Sequence, residues 1–400
     1  MRITNWVVKY RHLAGLLSLI PALTFGQLRT ADNLLTAAER PGAYLPLLYG
    51  KTVAVVANQT SMVKDEHLVD YLQRSKVNVL KVFAPEHGFR GTASAGETVL
   101  DGKDAKSGLP VISLYGSHKK PTTADLQGVQ VVLFDIQDVG ARFYTYISTM
   151  SYVMEACAEN NIKMIVLDRP NPHGYYVDGP VLQKGFESFV GMHPVPVIHG
   201  MTMGEYAQMV NGEGWLKNQV QCNLEVVRCQ DYDHYTEYNL PVKPSPNLPN
   251  SEAVALYPSL CFFEGTNVSV GRGTEFPFQV IGAPYFKEGT FEFIPREKEG
   301  AKSPKYEGVK CTGFDLREFA RFYMDGLGEL YLFWLVEAYR MAPEPSQFFT
   351  GFFNTLAGTD VLRKQIEAGK SADEIRASWQ ADLESFKRIR KKYLLYPDFE

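Results

Sequence analysis

The run KVFAPEHGFRGTASAGE (residues 81–97) carries an apolar strand straight into a cluster of charge. Val82, Phe83 and Ala84 read as strand, Pro85 interrupts the ladder, and Glu86, His87 and Arg90 follow before a Gly-rich turn leads to Glu97. Charged groups directly after a buried strand sit at its carboxyl end, where open α/β sheets hold their ligands. Working outward, Thr52–Asn58, Asn78–Ala84, Leu109–Tyr115, Val129–Ile136 and Ile162–Asp168 are short, nearly continuous apolar runs. Lys64–Ser75 and Thr145–Asn160 between them have helical spacing. Continuous apolar strands alternating with helices predict a parallel sheet covered on both faces, a doubly wound Rossmann-like α/β domain.

The pattern changes after the capping box Thr202-Met-Gly-Glu205, which opens a helix to about Asn211. The Pro-rich stretch KPSPNLP (243–249) cannot be a regular element, and a domain boundary is expected near residue 250. Residues 27–250 form the Rossmann-like domain in this reading, and residues 251–400 a smaller α+β C-terminal auxiliary domain. A second capping box, Ser371-Ala-Asp-Glu374, begins one long amphipathic helix whose stripe of Ile375, Trp379, Leu383, Phe386 and Ile389 packs into the core.

Residues 1–26 have the layout of a secretory signal peptide: basic Arg2, Lys9 and Arg11, then an apolar run from Leu13 to Phe25 that is too short to span a bilayer. A periplasmic or secreted protein is expected. Net charge is −4, with no basic block, which disfavours a nucleic-acid partner. Five Cys without CxxC or Cys/His spacing give no metal motif. Cys222 and Cys229 could pair in an oxidising compartment, or all five could be buried thiols.

Three strand ends deliver polar groups together. The strand ending at Ala84 supplies Glu86, His87 and Arg90. The strand ending near Ile136 supplies Asp135, Gln137, Asp138, Arg142, Tyr144 and Tyr146, and the strand ending at Asp168 supplies Asp168, Arg169, Asn171, His173 and Asp178. Each has a plain alternative, since a strand-end Asp often caps the next helix. Two carboxyls flanking a cleft are what glycoside hydrolysis needs, one protonated to give the leaving oxygen its proton and one ionised. Glu86, beside apolar Phe83 and Phe89, is the candidate acid. The Gly-rich run 265–273 places Glu264, Asn267, Arg272 and Glu275 where they could face the cleft. No GxGxxG follows a strand, the P-loop ending is missing, and neither GxSxG nor HExxH occurs. Glu86, His87, Asp135, Asp138 and His199 could in principle hold a divalent cation, but their spacing matches no standard site, and no cofactor is expected.

The chain resembles the exo-β-N-acetylmuramidase family of NamZ-like proteins, formerly a domain of unknown function. The resemblance rests on PEHGFRG (85–91), AGE (95–97), LPVISLYG (109–116) and VLFDIQDVGARFYTYISTM (132–150). It continues through LDRPNP (167–172), DGPVL (178–182), HGMTMGE (199–205), PSPNLP (244–249) and EGTNVSVGRGTEFPF (264–278). It implies release of terminal N-acetylmuramic acid from the non-reducing end of peptidoglycan fragments, in a cleft between the two domains. Glu86 would be the catalytic carboxyl by its PEHG motif. Glu97, Asp135 and Asp138 are the candidates for the second group, which the substrate's own acetamido group could replace. Muramic acid carries a lactyl carboxylate, so Arg90, Arg142, Arg169 and Arg272 are the candidate grips. Tyr144, Tyr146 or Tyr175 could cover the sugar face, and His87, Asn171, His199, Asn247, Glu264 and Asn267 complete the expected binding set. His173-Gly174-Tyr175 departs from the Asn-Gly-Gly expected after LDRPNP. A non-catalytic binder of peptidoglycan fragments and a metal-dependent amidase or esterase are the rival readings.

Overall fold

The computed structural model describes residues 28–30, 33–90, 101–324 and 327–400. The expected signal peptide (1–26) and Glu97 lie outside the described residues. A seven-stranded sheet forms the first layer. Its strands are β1 (Thr52–Ala57), β2 (Asn78–Ala84), β3 (Gly102–Lys103), β4 (Pro110–Ser113), β5 (Val131–Asp135), β6 (Lys163–Leu167) and β7 (Leu224–Val227), in the order β3-β4-β2-β1-β5-β6-β7. All neighbours run parallel except β3, which pairs antiparallel with β4 at one edge. The six parallel strands thus follow the Rossmann order, with the direction of winding reversing between β1 and β5.

The apolar strands are continuous because alternate side chains enter two different cores. Ala54, Val56, Phe83, Val132, Phe134 and Val166 pack on one face. Val53, Val55, Ala57, Leu133, Ile165 and Leu167 pack on the other. Both faces are buried, so neither tolerates the polar half of an alternating pattern.

The helices over the sheet include α1 (Pro41–Leu48), α2 (Leu68–Arg74), α3 (Tyr146–Glu159) and α4 (Met203–Gly212). The helix expected from Lys64 starts four residues later. Met62–Val63 and Glu66–His67 instead pair as a small antiparallel ribbon that turns at Lys64 (φ 55°). His67 then caps α2, its Nδ1 accepting from Val69 N at 3.2 Å. The Thr202 box caps α4 as expected, and Asp168 adds a bond from Gly204 N at 2.8 Å.

The C-terminal half begins with α5 (Ser251–Leu260) and has a three-stranded antiparallel sheet, β8 (Val280–Ala283), β10 (Cys311–Asp315) and β9 (Phe291–Phe293) in that order. Strands β8 and β10 approach so closely that a Cβ on Gly313 would lie 1.8 Å from Ile281 O, so only glycine fits there. Helices α6 (Phe333–Arg340), α7 (Phe352–Ala357), α8 (Val361–Glu367), α9 (Ala372–Ser378) and α10 (Gln380–Arg390) follow. The single long helix expected after Ser371 is two. The chain breaks at Trp379 (φ −103°, ψ 0°), whose Nε1 donates to buried Asp178 at 3.1 Å. The stripe itself is core, with Ile375, Trp379, Leu383 and Phe386 all buried. No helix among the described residues is long and apolar enough to cross a membrane.

Candidate functional site

A cavity of about 610 Å³ opens where the carboxyl ends of β2 and β5 meet the C-terminal half. Glu86 enters its wall from a tight turn after β2, closed by Gly88 N donating to Pro85 O at 3.0 Å. His87, the residue after Glu86, has φ 69°, and Gly88 has φ 77°. A non-glycine residue in the left-handed region is strained, and such strain concentrates at functional sites. His87 is also buried and lines the same wall.

The segment after β5 supplies the facing groups. Thr145 Oγ1 donates to Glu86 Oε2 at 2.7 Å. Tyr144 and Tyr146 pack edge to face at 4.9 Å, and their hydroxyls lie 2.8 and 3.3 Å from Pro244 O. Gln59 Nε2 donates to the same carbonyl at 3.0 Å. Three donors on one oxygen pin the Pro-rich loop over the strand mouths, which explains why an irregular segment stays ordered there. Burial pushes both phenols well above their usual range. Asn247, on this loop, lines the cavity and donates from Nδ2 to Gly300 O at 2.8 Å.

The C-terminal half contributes Glu264 and Arg272. Glu264 Oε1 accepts from Arg272 Nε at 2.7 Å, and the guanidinium sits 5.0 Å from the centre of the Phe278 ring. Burial alone would lower the Arg272 pKa, but the Glu264 carboxylate outweighs it and holds the guanidinium charged. The terminal nitrogens of Arg272 make no hydrogen bond among the described residues, and the side chain lines the cavity.

The other groups singled out from the sequence lie elsewhere. Asp135 is fully buried and bound bidentately by Arg169, at 2.6 and 2.9 Å. Each satisfies the other beneath the strand mouths. Asp138 is buried outside the cavity wall, its Oδ2 accepting from Gly140 N at 2.6 Å. Burial raises its pKa to about 7. Arg142 is fully buried and donates to four carbonyls, of Pro180, Val195, Leu356 and Ala357, so it clamps the two halves together. Arg90 is bidentate to Asp104 at 3.1 and 2.7 Å and lies over the Phe89 ring. His199 is buried with Nδ1 accepting from Met201 N, and burial pushes its pKa down to about 3. Asn171 is buried and bridges Met201 O and His173 N. His173 donates from Nδ1 to Val139 O at 2.6 Å in the interior. Asn267 accepts from Tyr285 OH, and Glu275 pairs with Lys298 on the surface. Tyr175 lines a separate cavity of about 460 Å³, across the Pro-rich loop.

Of the sequence candidates, then, Glu86, His87, Tyr144, Tyr146, Asn247, Glu264 and Arg272 meet at one cavity. Thr145, Tyr257 and Phe278 are wall residues that the sequence reading missed. Thr145 lies inside the quoted FYTY motif, and its place just before a helix is the one signal that could have marked it. Among the described residues, no three His, Cys, Asp or Glu side chains converge as metal ligands would.

Residues 53–252 match the family described as "Exo-beta-N-acetylmuramidase NamZ, N-terminal", and residues 255–396 its C-terminal counterpart. The chain is 40% identical over 372 residues to the peptidoglycan beta-N-acetylmuramidase NamZ of Bacillus subtilis (strain 168), covering 88% of this chain and 89% of that protein. Crystal structures of two DUF1343 family proteins from Bacteroides fragilis NCTC 9343 are similar throughout. One has a TM-score of 0.86 at 46% identity, covering 92% of this chain and 100% of the other. The second has a TM-score of 0.77 at 29% identity, covering 91% and 99%. With both halves matched in order and a Rossmann-like sheet joined to a smaller C-terminal half, the chain belongs to the NamZ family of exo-β-N-acetylmuramidases.

Proposed function

We propose that this chain is an exo-acting glycoside hydrolase that removes N-acetylmuramic acid from the non-reducing end of peptidoglycan fragments, with Glu86 as general acid. The observation that carries the assignment of Glu86 is its place in the cavity wall. Among the carboxyls that the sequence pointed to, Glu86 and Glu264 line that cavity, and Glu264 is bound to Arg272 at 2.7 Å. Asp135 is held by Arg169, and Asp138 lies outside the wall, so neither suits the role of second catalytic group. That role falls to Glu97 or to the acetamido group of the substrate, which substitutes for an enzyme nucleophile in some glycosidases.

Arg272 is the grip for the lactyl carboxylate in this reading. The other three candidate arginines are committed to Asp104, to carbonyls and to Asp135, whereas Arg272 lines the cavity and spends only its Nε on Glu264 among the described residues. A guanidinium meets a carboxylate with two parallel bonds, and the ring of Phe278 behind it limits its rotation. The basic and apolar segments ahead of residue 27 support export to the compartment where the polymer lies.

The test is hydrolysis of a muramyl-β-1,4-glucosamine disaccharide. The wild-type protein should release muramic acid, and Glu86→Gln should lose about 10²–10⁴-fold in kcat/KM, the usual worth of general acid catalysis. Full activity in Glu86→Gln removes Glu86 from the mechanism. Binding of the disaccharide without turnover at any pH makes the protein a binder.

A further inference from the structure

Thr145 is the residue immediately before α3, between the two cavity tyrosines. Its backbone carbonyl accepts from Ser148 N at 3.1 Å and Thr149 N at 3.0 Å, so the first turn of the helix fixes its backbone. Its side chain is β-branched, which restricts χ1. The hydroxyl is therefore held in place, and its one hydrogen bond among the described residues is the 2.7 Å bond to Glu86 Oε2.

A carboxylic acid carries one proton on two oxygens. As a general acid it works only when that proton is on the oxygen that faces the leaving group. A hydroxyl that donates to Oε2 makes Oε2 an acceptor. A proton placed there would confront the hydroxyl hydrogen, or force the hydroxyl to turn away from the one acceptor it has among the described residues.

We propose that Thr145 is a positioning residue for acid catalysis: by donating to Oε2 it confines the transferable proton of Glu86 to Oε1. In the step, the Oε1–H bond breaks and its proton passes to the glycosidic oxygen. The bond from the anomeric carbon to that oxygen breaks, with the electron pair staying on the oxygen. Thr145 keeps its own hydrogen throughout. Once Glu86 is a carboxylate, the same donation stabilises its charge, and the amino end of the 14-residue helix α3 adds to it. The proposal rests on the reading of Glu86 as the acid.

The experiment compares two leaving groups in Thr145→Val, Thr145→Ser and Glu86→Gln. A sugar alkoxide needs a proton to depart, whereas 4-nitrophenolate needs little help. Thr145→Val should lose about 10–100-fold in kcat/KM on the muramyl-glucosamine disaccharide, and roughly threefold or less on 4-nitrophenyl β-N-acetylmuramide, as expected when only acid catalysis is impaired. Thr145→Ser, which keeps the hydroxyl, should recover most of the disaccharide rate. Equal losses on the two substrates, a wild-type disaccharide rate in Thr145→Val, or no recovery in Thr145→Ser overturns the proposal. If Thr145→Val fails to fold, Thr145→Ala replaces it in the same comparison. A Glu86→Gln enzyme that still cleaves the disaccharide would sink the reading of Glu86 itself. An inactive Glu86→Gln beside an indifferent Thr145→Val sinks only the role given to Thr145.

Discussion

Replacing Arg142 with methionine separates a structural clamp from a substrate grip. The guanidinium is fully buried and reaches Pro180 O and Val195 O at 2.8 Å on the N-terminal side. It reaches Leu356 O at 2.9 Å and Ala357 O at 2.8 Å in α7. No carboxylate among the described residues pairs with it, and burial pushes its pKa down to about 9. Methionine fills much of the volume but brings no donor, so four buried carbonyls lose the Arg142 bond, and of these Val195 O keeps a bond from Leu182 N at 3.1 Å. Relief of the buried charge offsets part of that loss. The net should be about 3–5 kcal/mol, the range seen when one member of a buried charged cluster is removed. At about 2 °C per kcal/mol for a chain of this size, the melting temperature should fall by about 6–10 °C. The assay is thermal unfolding alongside disaccharide kinetics corrected for the folded fraction. KM should stay at the wild-type value. A variant that melts at the wild-type temperature but binds muramyl substrates poorly would refute the clamp and restore Arg142 as a grip.

Arg272→Leu should raise KM for the free-acid muramide by about 10–100-fold, the worth of a charge-assisted hydrogen bond, and a lactyl methyl ester should lose far less; steady-state kinetics on the two substrates decides. Burial raises the Asp138 pKa from 3.8 to about 7, so the folded state favours its protonated form, and the stability this gives is present below about pH 4 and lost as pH rises to about 7. Asp138→Asn does not titrate, so its melting temperature should gain on the wild type across that window; parallel curves would place the carboxyl in solvent. All five cysteines are free and buried, so a dithiobenzoate reagent should titrate none in the folded protein and five after denaturation without reductant. Three instead of five would reveal a disulfide, with Cys222–Cys229 the first pair to examine.

The sheet was legible because burial on both faces forbids polar positions. The runs ending at Ala84 and Ile136 therefore announce strands without help from the rest of the chain, and β2 runs as expected from Asn78 to Ala84. Strand β7, LEVV, was not marked, since Glu225 interrupts it at the sheet edge, where that side chain pairs with Lys163. The break at Trp379 was invisible because periodicity runs through it unchanged. The residue at the break is tied to Asp178, 201 residues away in sequence, which no local pattern shows.

By itself the sequence determined the parallel α/β architecture, the two capping boxes that start α4 and α9, and the loop that presents Glu86. These follow from local pattern, in which each residue type has one energetically acceptable environment. Only the tertiary structure decided which charges are used where. Arg90, Arg142, Arg169 and Arg272 look alike in sequence, yet three spend their donors on Asp104, on four carbonyls and on Asp135. The fourth, Arg272, lines the cavity with only its Nε bonded, to Glu264, among the described residues. The partner of a guanidinium is set by distance through space, to groups that lie up to 215 residues away along the chain. Local pattern carries no trace of such a partner.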